Sequence, residues 1–409
     1  MRDIHFIGIG GAGMAPLAEL TLAQGICVTG SDEADSAKIH KLRSLGAKIS
    51  IGHSAENLPE NAELLVYSSA VGEDNCERVK AAKLNIPQIR RGAYLAELAK
   101  SYRRCVSVTG THGKSSISSA LVMILRACGF NPGFTIGAEV AGLPSCAAGD
   151  GDIFVTEADE SDGTHTLLDN HLAVIPNIED DHEWSLGGAD VLDKNFRTVA
   201  ANSAKILYYS SPKCDELLNS HRDKTVLKDI PSKFANLCGF QAANARIAAE
   251  AAVILGCDRE KAYKAAENYP QVARRMMLHK TGEDLIVIED YAHHPTEVRS
   301  ALELLRINYP EHHLRVFFQP HRFARLEKYF DEFAEVLKLA DDVFIAPVFA
   351  AWCETGTTGA AELAKAVNGR EVAGTYKEQA ECVKSSLPEG RTVIAVLGAG
   401  DINKTIEFM

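Results

Sequence analysis

Lys114 and Ser115 close the run Thr109-Gly110-Thr111-His112-Gly113-Lys114-Ser115, placing an ammonium and a hydroxyl at the exit of a glycine turn. An apolar run at 105–108 precedes the turn and a helical pattern over 116–128 follows it. Glycines let successive backbone amides converge on a phosphate, and a helix N-terminus adds partial positive charge. A lysine and a hydroxyl at this point suit a nucleotide phosphate and its magnesium ion. The usual eight-residue phosphate loop has glycine where Val108 stands. The run therefore reads either as a phosphate loop lacking one glycine or as a plain strand–turn–helix junction.

Acids gather after two further apolar runs. The stretch 152–162, DIFVTEADESD, carries five of them, with Glu157 where the apolar run ends. A carboxylate at a strand end beside a phosphate loop is placed to hold Mg²⁺; the other reading is a solvated turn. The stretch 172–182, LAVIPNIEDDH, repeats the theme and adds His182. A second glycine loop, Gly8-Ile9-Gly10-Gly11-Ala12-Gly13, follows an apolar run, and Asp32 lies nineteen residues past Gly13. This is the dinucleotide-binding arrangement, and its direct reading is NAD; glycines serving close helix–strand packing are the alternative. Ser68 and Ser69 end another strand pattern, as ligand-facing hydroxyls or turn residues. Near the C-terminus, Asp290-Tyr291-Ala292-His293-His294 and His321-Arg322-Phe323-Ala324-Arg325 follow apolar runs. Cations and hydrogen-bonding groups at strand ends suit an anionic ligand.

Such groups need a scaffold that collects strand ends. Apolar runs at 4–9, 26–29, 48–51 and 64–68 predict strands, with helices over 14–24 and 93–100. Strands at 105–108, 152–157 and 172–175 follow, with helices over 116–128, 191–202, 212–219, 242–255 and 259–267. The polar stretch 221–233 reads as loop or short strands. Strands at 285–289, 314–318, 343–347 and 392–397 complete the pattern, and Pro295 suits the first turn of a helix. Strands alternating with helices predict parallel α/β sheets.

The 409 residues exceed one ordinary core and suggest two or three domains. A net charge of −12 argues against non-specific binding to nucleic acid or an anionic membrane. The ten cysteines form no C-x-x-C pair, and most sit in apolar runs, which predicts buried free thiols. No apolar run reaches membrane-spanning length and no secretory leader precedes the first strand pattern. A cytoplasmic protein, monomer or weak dimer, is expected.

Taken in order, HFIGIGGAGM, GTHGKS, EADESD, NIEDDH, DYAHHPTE and FQPHRFAR resemble the Mur ligase family over essentially the whole chain. That family uses a shorter GT-x-GK-[ST] phosphate loop, which accounts for Val108. The resemblance implies three α/β domains: an N-terminal Rossmann-like parallel sheet (1–101), a central P-loop ATPase-like domain (102–272) and a C-terminal Rossmann-like domain (273–409) that closes over the site. By the same resemblance, Gly8, Gly10, Gly11, Ala12 and Gly13 cradle the diphosphate of UDP-N-acetylmuramate instead of NAD, with Asp32, Ser68 and Ser69 nearby. ATP falls to Gly110, Thr111, His112, Gly113, Lys114, Ser115 and Ser116, with Asn244, Arg275 and Asp290. Mg²⁺ or Mn²⁺ falls to Ser115, Glu157 and His182. Lys114, His182, His294 and Arg322 are implied to be catalytic, and Tyr291, His321, Arg322 and Arg325 to lie on the amino-acid side. The implied reaction is ATP-driven amide formation through an acyl phosphate. GIGGAGM and DYAHHPTE favour L-alanine as acceptor over a preformed peptide.

Two departures stand out. Ser115-Ser116-Ile117 replace the family's threonines, which keeps a hydroxyl beside Lys114. The family's G-x-HN-x-x-N pattern, which serves adenine, reads Gly239-Phe240-Gln241-Ala242-Ala243-Asn244, after a segment at 223–238 that is shorter than usual. A nucleotide-binding member without turnover therefore remains a further reading.

Overall fold

A computed structural model describes residues 3–181, 188–231, 233–282, 284–351 and 356–409. The chain forms two compact units, one of Met1–Pro231 with Ala243–Pro270 and the other of Ser232–Ala242 with Gln271–Met409.

The first unit opens with β1 (Asp3–Ile7), α1 (Ala15–Ala23), β2 (Cys27–Asp32), α2 (Ala37–Ser44), β3 (Lys48–Ile51), β4 (Leu64–Tyr67), α3 (Cys76–Lys83), β5 (Gln88–Arg90) and α4 (Arg91–Ala99). Its sheet is parallel throughout, in the order β3-β2-β1-β4-β5. Strand order reverses beside β1, so the turns after β1 and β4 flank the crevice where open α/β sheets bind ligands. Ile4, Phe6, Ile7, Leu65 and Val66 are buried, as strands covered on both faces require. β2 runs three residues beyond its apolar stretch because Gly30, Ser31 and Asp32 pair with Ile49, Ser50 and Ile51 of β3.

The same unit continues with β6 (Arg104–Val108), α5 (Lys114–Ala127), β7 (Gly133–Thr135), β8 (Cys146–Ala147), β9 (Ile153–Glu157), β10 (Asn170–Ile175), α6 (Ala189–Ala201), β11 (Ser203–Tyr209), α7 (Pro212–Leu218) and β12 (Lys224–Leu227). The second sheet has the order β12-β11-β10-β6-β9-β7-β8, parallel except for β8. β6 lies between β9 and β10, so the turn after it meets the two acidic strand ends. α5 begins at Lys114, two residues before its apolar periodicity. Its inner face, Ile117, Leu121 and Leu125, is fully buried.

The polar stretch expected as loop or short strands contains β12 and one strand of a two-residue hairpin, β13 (Lys233–Phe234) with β14 (Leu237–Cys238). Then come α8 (Gly239–Ile254), which starts before its predicted apolar segment, and α9 (Arg259–Ala266).

The second unit holds β15 (Met277–Thr281), β16 (Leu285–Asp290), α10 (Pro295–Asn308), β17 (His313–Phe318), α11 (Phe323–Lys328), α12 (Phe330–Leu337), β18 (Asp342–Ile345), α13 (Ala360–Ala366), β19 (Arg370–Glu371), α14 (Tyr376–Lys384) and β20 (Thr392–Leu397). Its sheet order is β15-β16-β20-β17-β18-β19, with only β15 antiparallel. The central strands β16, β20 and β17 end at Asp290, Leu397 and Phe318, so their following turns share one edge. Nine cysteines are described and all are free, but Cys27 and Cys76 are exposed, against the expectation of burial. Among the described residues no helix is long and apolar enough to cross a membrane.

Candidate active site

The glycine turn between β6 and α5 is held by the neighbouring strand end. Asn177, just past β10, accepts the His112 N–H at 2.7 Å through Oδ1 and returns Nδ2 to the His112 carbonyl at 3.2 Å. Its own carbonyl accepts the Thr111 N–H. Thr111 Oγ1 in turn accepts the Glu179 N–H at 2.8 Å. Gly110 has φ +128°, and a side chain there would begin 2.6 Å from the Asn177 carbonyl oxygen. Gly113, at φ +85°, caps α5, and a Cβ would stand 2.9 Å from Asn244 Oδ1. Asn244 Nδ2 donates to Tyr269 Oη at 3.1 Å. Asn244, expected at the nucleotide, thus lies against the phosphate loop, and both glycines are obligatory there.

Lys114 and Ser115 occupy the first turn of α5, whose amides lack intrahelical acceptors. Ser115 Oγ donates to Glu157 Oε2 at 2.8 Å, which brings two of the three expected metal ligands together. The other Glu157 oxygen accepts the Gly137 N–H at 2.8 Å. Burial pushes the Glu157 carboxyl above its usual range despite these bonds. His182, the third expected ligand, lies outside the described residues.

Lys114 Nζ meets the carboxylate of Glu160 at 2.8 and 3.0 Å and the Gly110 carbonyl at 2.8 Å. Burial works against the ammonium, but Glu160 and Asp159 outweigh it and hold its pKa above the ordinary value. Burial also drives Glu160 up to about 7, with Lys114 opposing. Three acids around one lysine leave an excess of negative oxygen donors, a chemistry that fits a hard divalent cation. Glu160 was not singled out by sequence reasoning, although EADESD contains it.

At the first sheet, Gly8 and Ile9 donate their N–H groups to the Ser31 carbonyl at 2.8 and 3.1 Å. The Gly10 N–H donates to Asp32 Oδ2 at 2.8 Å. Asp32 therefore shapes the loop through its carboxylate. Gly11, Ala12 and Gly13 are exposed. Ser68 stands beside Gly8, 3.3 Å from where a Cβ would begin, while Ser69 is exposed. Arg91, at the start of α4, crowds Gly13 and pairs with Asp162 of the acidic loop at 2.5 Å. A cavity of about 340 Å³ has Ala12 of the glycine loop on one wall and Gly137, the partner of Glu157, on another; Lys38 and Lys41 also line it.

In the second unit, Arg275 pairs with Glu297 at 3.1 Å and lies 3.7 Å from Asp290. Asp290 accepts N–H groups from Met276 and Ala292, each at 2.8 Å. Burial raises its pKa to about 6 although Arg275 pulls the other way. Tyr291 lies under both Arg274 and Arg275, whose guanidinium carbons are 4.9 and 5.3 Å from its ring centre. His293, which sequence reasoning left unassigned, packs edge-on to His321 at 5.6 Å. His294 caps α10 and rests against Tyr329. Arg325 is almost fully buried, with Nη1 3.2 Å from His321 Nδ1. Arg322, the N-cap of α11, has φ +68°, a backbone region that non-glycine residues rarely enter. The structure thus gathers Arg275, Asp290, Tyr291, His321 and Arg325 at one sheet edge.

Two family models match. Residues 3–103 match "Mur ligase family, catalytic domain" and residues 274–401 match "Mur ligase, glutamate ligase domain". The chain is 34% identical to UDP-N-acetylmuramate–L-alanine ligase of a Sulfurihydrogenibium species, across 99% of this chain and 96% of that protein. It is 33% identical to the enzyme of that name from Aquifex aeolicus, across 100% and 97%. Among solved structures, the UDP-N-acetylmuramate-alanine ligase of Thermotoga maritima superposes with a TM-score of 0.80 at 25% identity, covering 100% and 98% of the two chains. A murein peptide ligase from Psychrobacter arcticus shares the fold, with a TM-score of 0.69 at 20% identity, 100% and 99% covered. With phosphate-loop, acidic and glycine-loop elements in one order and relatives matched end to end, the chain belongs to the Mur ligase family.

Proposed function

We propose that this enzyme joins L-alanine to the lactyl carboxylate of UDP-N-acetylmuramate at the expense of ATP, releasing ADP and phosphate. The observation that carries the reading is the cavity with the glycine loop on one wall and the Glu157 partner Gly137 on another. A molecule anchored by its diphosphate at Gly8–Gly13 can reach from there toward the terminal phosphate of a nucleotide seated on Gly110–Ser116. An NAD-dependent enzyme has no use for the second loop. The names of the matched relatives point to the same acceptor, L-alanine.

In this reading the carboxylate attacks the γ-phosphorus, ADP departs, and an acyl phosphate forms. The amine of alanine then attacks the acyl carbon, and phosphate leaves as the amide forms. The first step brings two anions together, so their repulsion must be offset. Lys114 and the first-turn amides of α5 supply positive charge toward the β/γ-phosphates. When a phosphate arrives, Lys114 has an alternative to Glu160 and is already protonated for it. Ser115 and Glu157, with His182 as the family resemblance implies, would hold Mg²⁺, which supplies charge neutralisation at the phosphate oxygens. Asn177 holds the loop through His112 and Thr111, and Asn244, beside Gly113, is assigned to the nucleotide. Arg275 and Asp290 are assigned to the ATP side. Tyr291, His321, Arg322 and Arg325 are assigned to the incoming amino acid, Arg325 Nη1 standing 3.2 Å from His321 Nδ1, and His294 and Arg322 are assigned catalytic roles.

The test is steady-state phosphate release with UDP-N-acetylmuramate, ATP, Mg²⁺ and either L-alanine or a preformed tripeptide. Release that needs both the UDP-sugar and L-alanine supports the reading. Release with the tripeptide alone would turn it to peptide recycling.

A further inference from the structure

Beneath the glycine loop lies a charged network with no part in the chemistry above. Glu77, in the first turn of α3, is fully buried, as are His5 of β1 and Ser31 of β2. His5 Nε2, at 2.7 Å, and Ser31 Oγ, at 2.9 Å, donate to Glu77 Oε2. The Ser54 N–H and Asn57 Nδ2, each at 3.3 Å, donate to Oε1, and His53 Nδ1 stands 3.3 Å from the same atom. His5 Nδ1 is 2.8 Å from Thr29 Oγ1, and His53 Nδ1 is 3.0 Å from Ser31 Oγ. Burial alone would push the Glu77 carboxyl up, but the bonds from His5 and Ser31 prevail and leave it below its usual value. Every oxygen of this carboxylate is thus spoken for.

A buried carboxylate is costly to place, and well-packed apolar residues often serve stability as well or better. A saturated network gives something else, one fixed geometry. Here the geometry is that of Ser31. Its hydroxyl is tied to Glu77, while its carbonyl accepts the Gly8 and Ile9 amides. The next residue, Asp32, accepts the Gly10 amide. Three successive amides of the loop therefore hang on two residues of β2, and Glu77 fixes the first of those two.

We propose that Glu77, supported by His5, is a positioning residue for the UDP-sugar: it holds the end of β2, and through Ser31 and Asp32 the glycine loop that receives the diphosphate. This inference rests on the assignment of UDP-N-acetylmuramate to that loop.

Glu77→Gln keeps the side-chain shape but turns one acceptor oxygen into a donor among donors. Small displacements of a positioned group cost roughly ten- to a hundredfold. KM for UDP-N-acetylmuramate is therefore expected to rise about tenfold or more, with a matching loss of UDP affinity by calorimetry and no comparable change in KM for ATP. Ser31→Ala cuts the link to the loop while sparing the His5–Glu77 pair, and is expected to show the same split; it decides the matter if Glu77→Gln fails to fold. Thr21→Val, which breaks the buried Thr21–Tyr94 bond of 2.6 Å in the same sheet domain, is the control for lost stability alone. It should lower Tm and leave the UDP-sugar KM in place. Variants at Glu77 and Ser31 that lose stability yet keep wild-type KM and UDP affinity would overturn the proposal. Wild-type protein that binds no UDP or UDP-N-acetylmuramate would instead overturn the assignment of the loop, a separate and recognisable result.

Discussion

His165→Phe is expected to stabilise the first unit, and to do so more at acidic pH. His165 sits in the short 3-10 turn Thr164–Leu167 that follows the acidic loop. It is fully buried, its ring is 5.3 Å from that of Phe196, and neither ring nitrogen makes a hydrogen bond of good geometry, the nearest acceptor being the Asp159 backbone. Burial lowers its pKa from 6.5 to about 4, against the pull of Asp159. For a base depressed in the folded state, the unfolded chain takes up the proton first on acidification. Stability is therefore whole above the unfolded pKa and falls as pH drops from about 6.5 toward 4. At about pH 5 this linkage amounts to roughly 2 kcal/mol. Near pH 7 the ring is neutral in both states, and only the unsatisfied nitrogens count, at about 1–3 kcal/mol. Phenylalanine fills a similar space with no polar atom. A gain of about 1–2 kcal/mol at pH 7, with roughly 2 kcal/mol more at pH 5, follows. That corresponds to a rise in Tm of about 2–8 °C at pH 7 and about 6–16 °C at pH 5. Differential scanning calorimetry of both proteins at the two pH values reads it directly. A variant that melts lower than wild type, or a Tm gap that is the same at both pH values, refutes the reasoning.

Three further outcomes are expected. Lys114→Ala should cut kcat by about a hundredfold or more through lost charge stabilisation at the transferring phosphate; a loss below tenfold in phosphate release would contradict the phosphate-loop assignment. Glu157→Ala removes the acceptor of Ser115 and Gly137, and should raise the Mg²⁺ concentration for half-maximal activity about tenfold; an unchanged Mg²⁺ titration takes Glu157 out of the metal site. Arg322→Gly should raise Tm by relieving a left-handed backbone worth about 1–3 kcal/mol, while KM for L-alanine rises; a KM at the wild-type value would show that the guanidinium does not serve the amino acid.

The chemistry at strand ends was legible because each group is local to its strand. Gly110, Gly113, Lys114 and Ser115 leave β6 within seven residues, and Glu157 closes β9, so reading each run in turn was enough to expect them together. Boundaries were less legible where polar residues continue a regular element. β2 reaches Asp32 through Gly30, where a Cβ would stand 2.6 Å from the Phe6 carbonyl oxygen; only pairing with β1 and β3 reveals that need. α5 starts at Lys114 because helix geometry extends past the buried face that marks it in the sequence. Partners from distant elements were not legible at all. The meeting of Glu160 with Lys114, Glu297 with Arg275, and Glu77 with His5 depends on sheet register and helix rotation. His165 has the same lesson: no local pattern distinguishes a buried ring from an exposed one beside four acids.

The most direct test of the account is an ATP-dependent phosphate-release assay with a panel of acceptors, run with and without UDP-N-acetylmuramate. Phosphate release with L-alanine is expected to vanish when either the UDP-sugar or L-alanine is omitted, and ADP and the alanyl product are expected in equal amounts. Phosphate release no greater than with ATP alone, under conditions where the protein is folded, would contradict it.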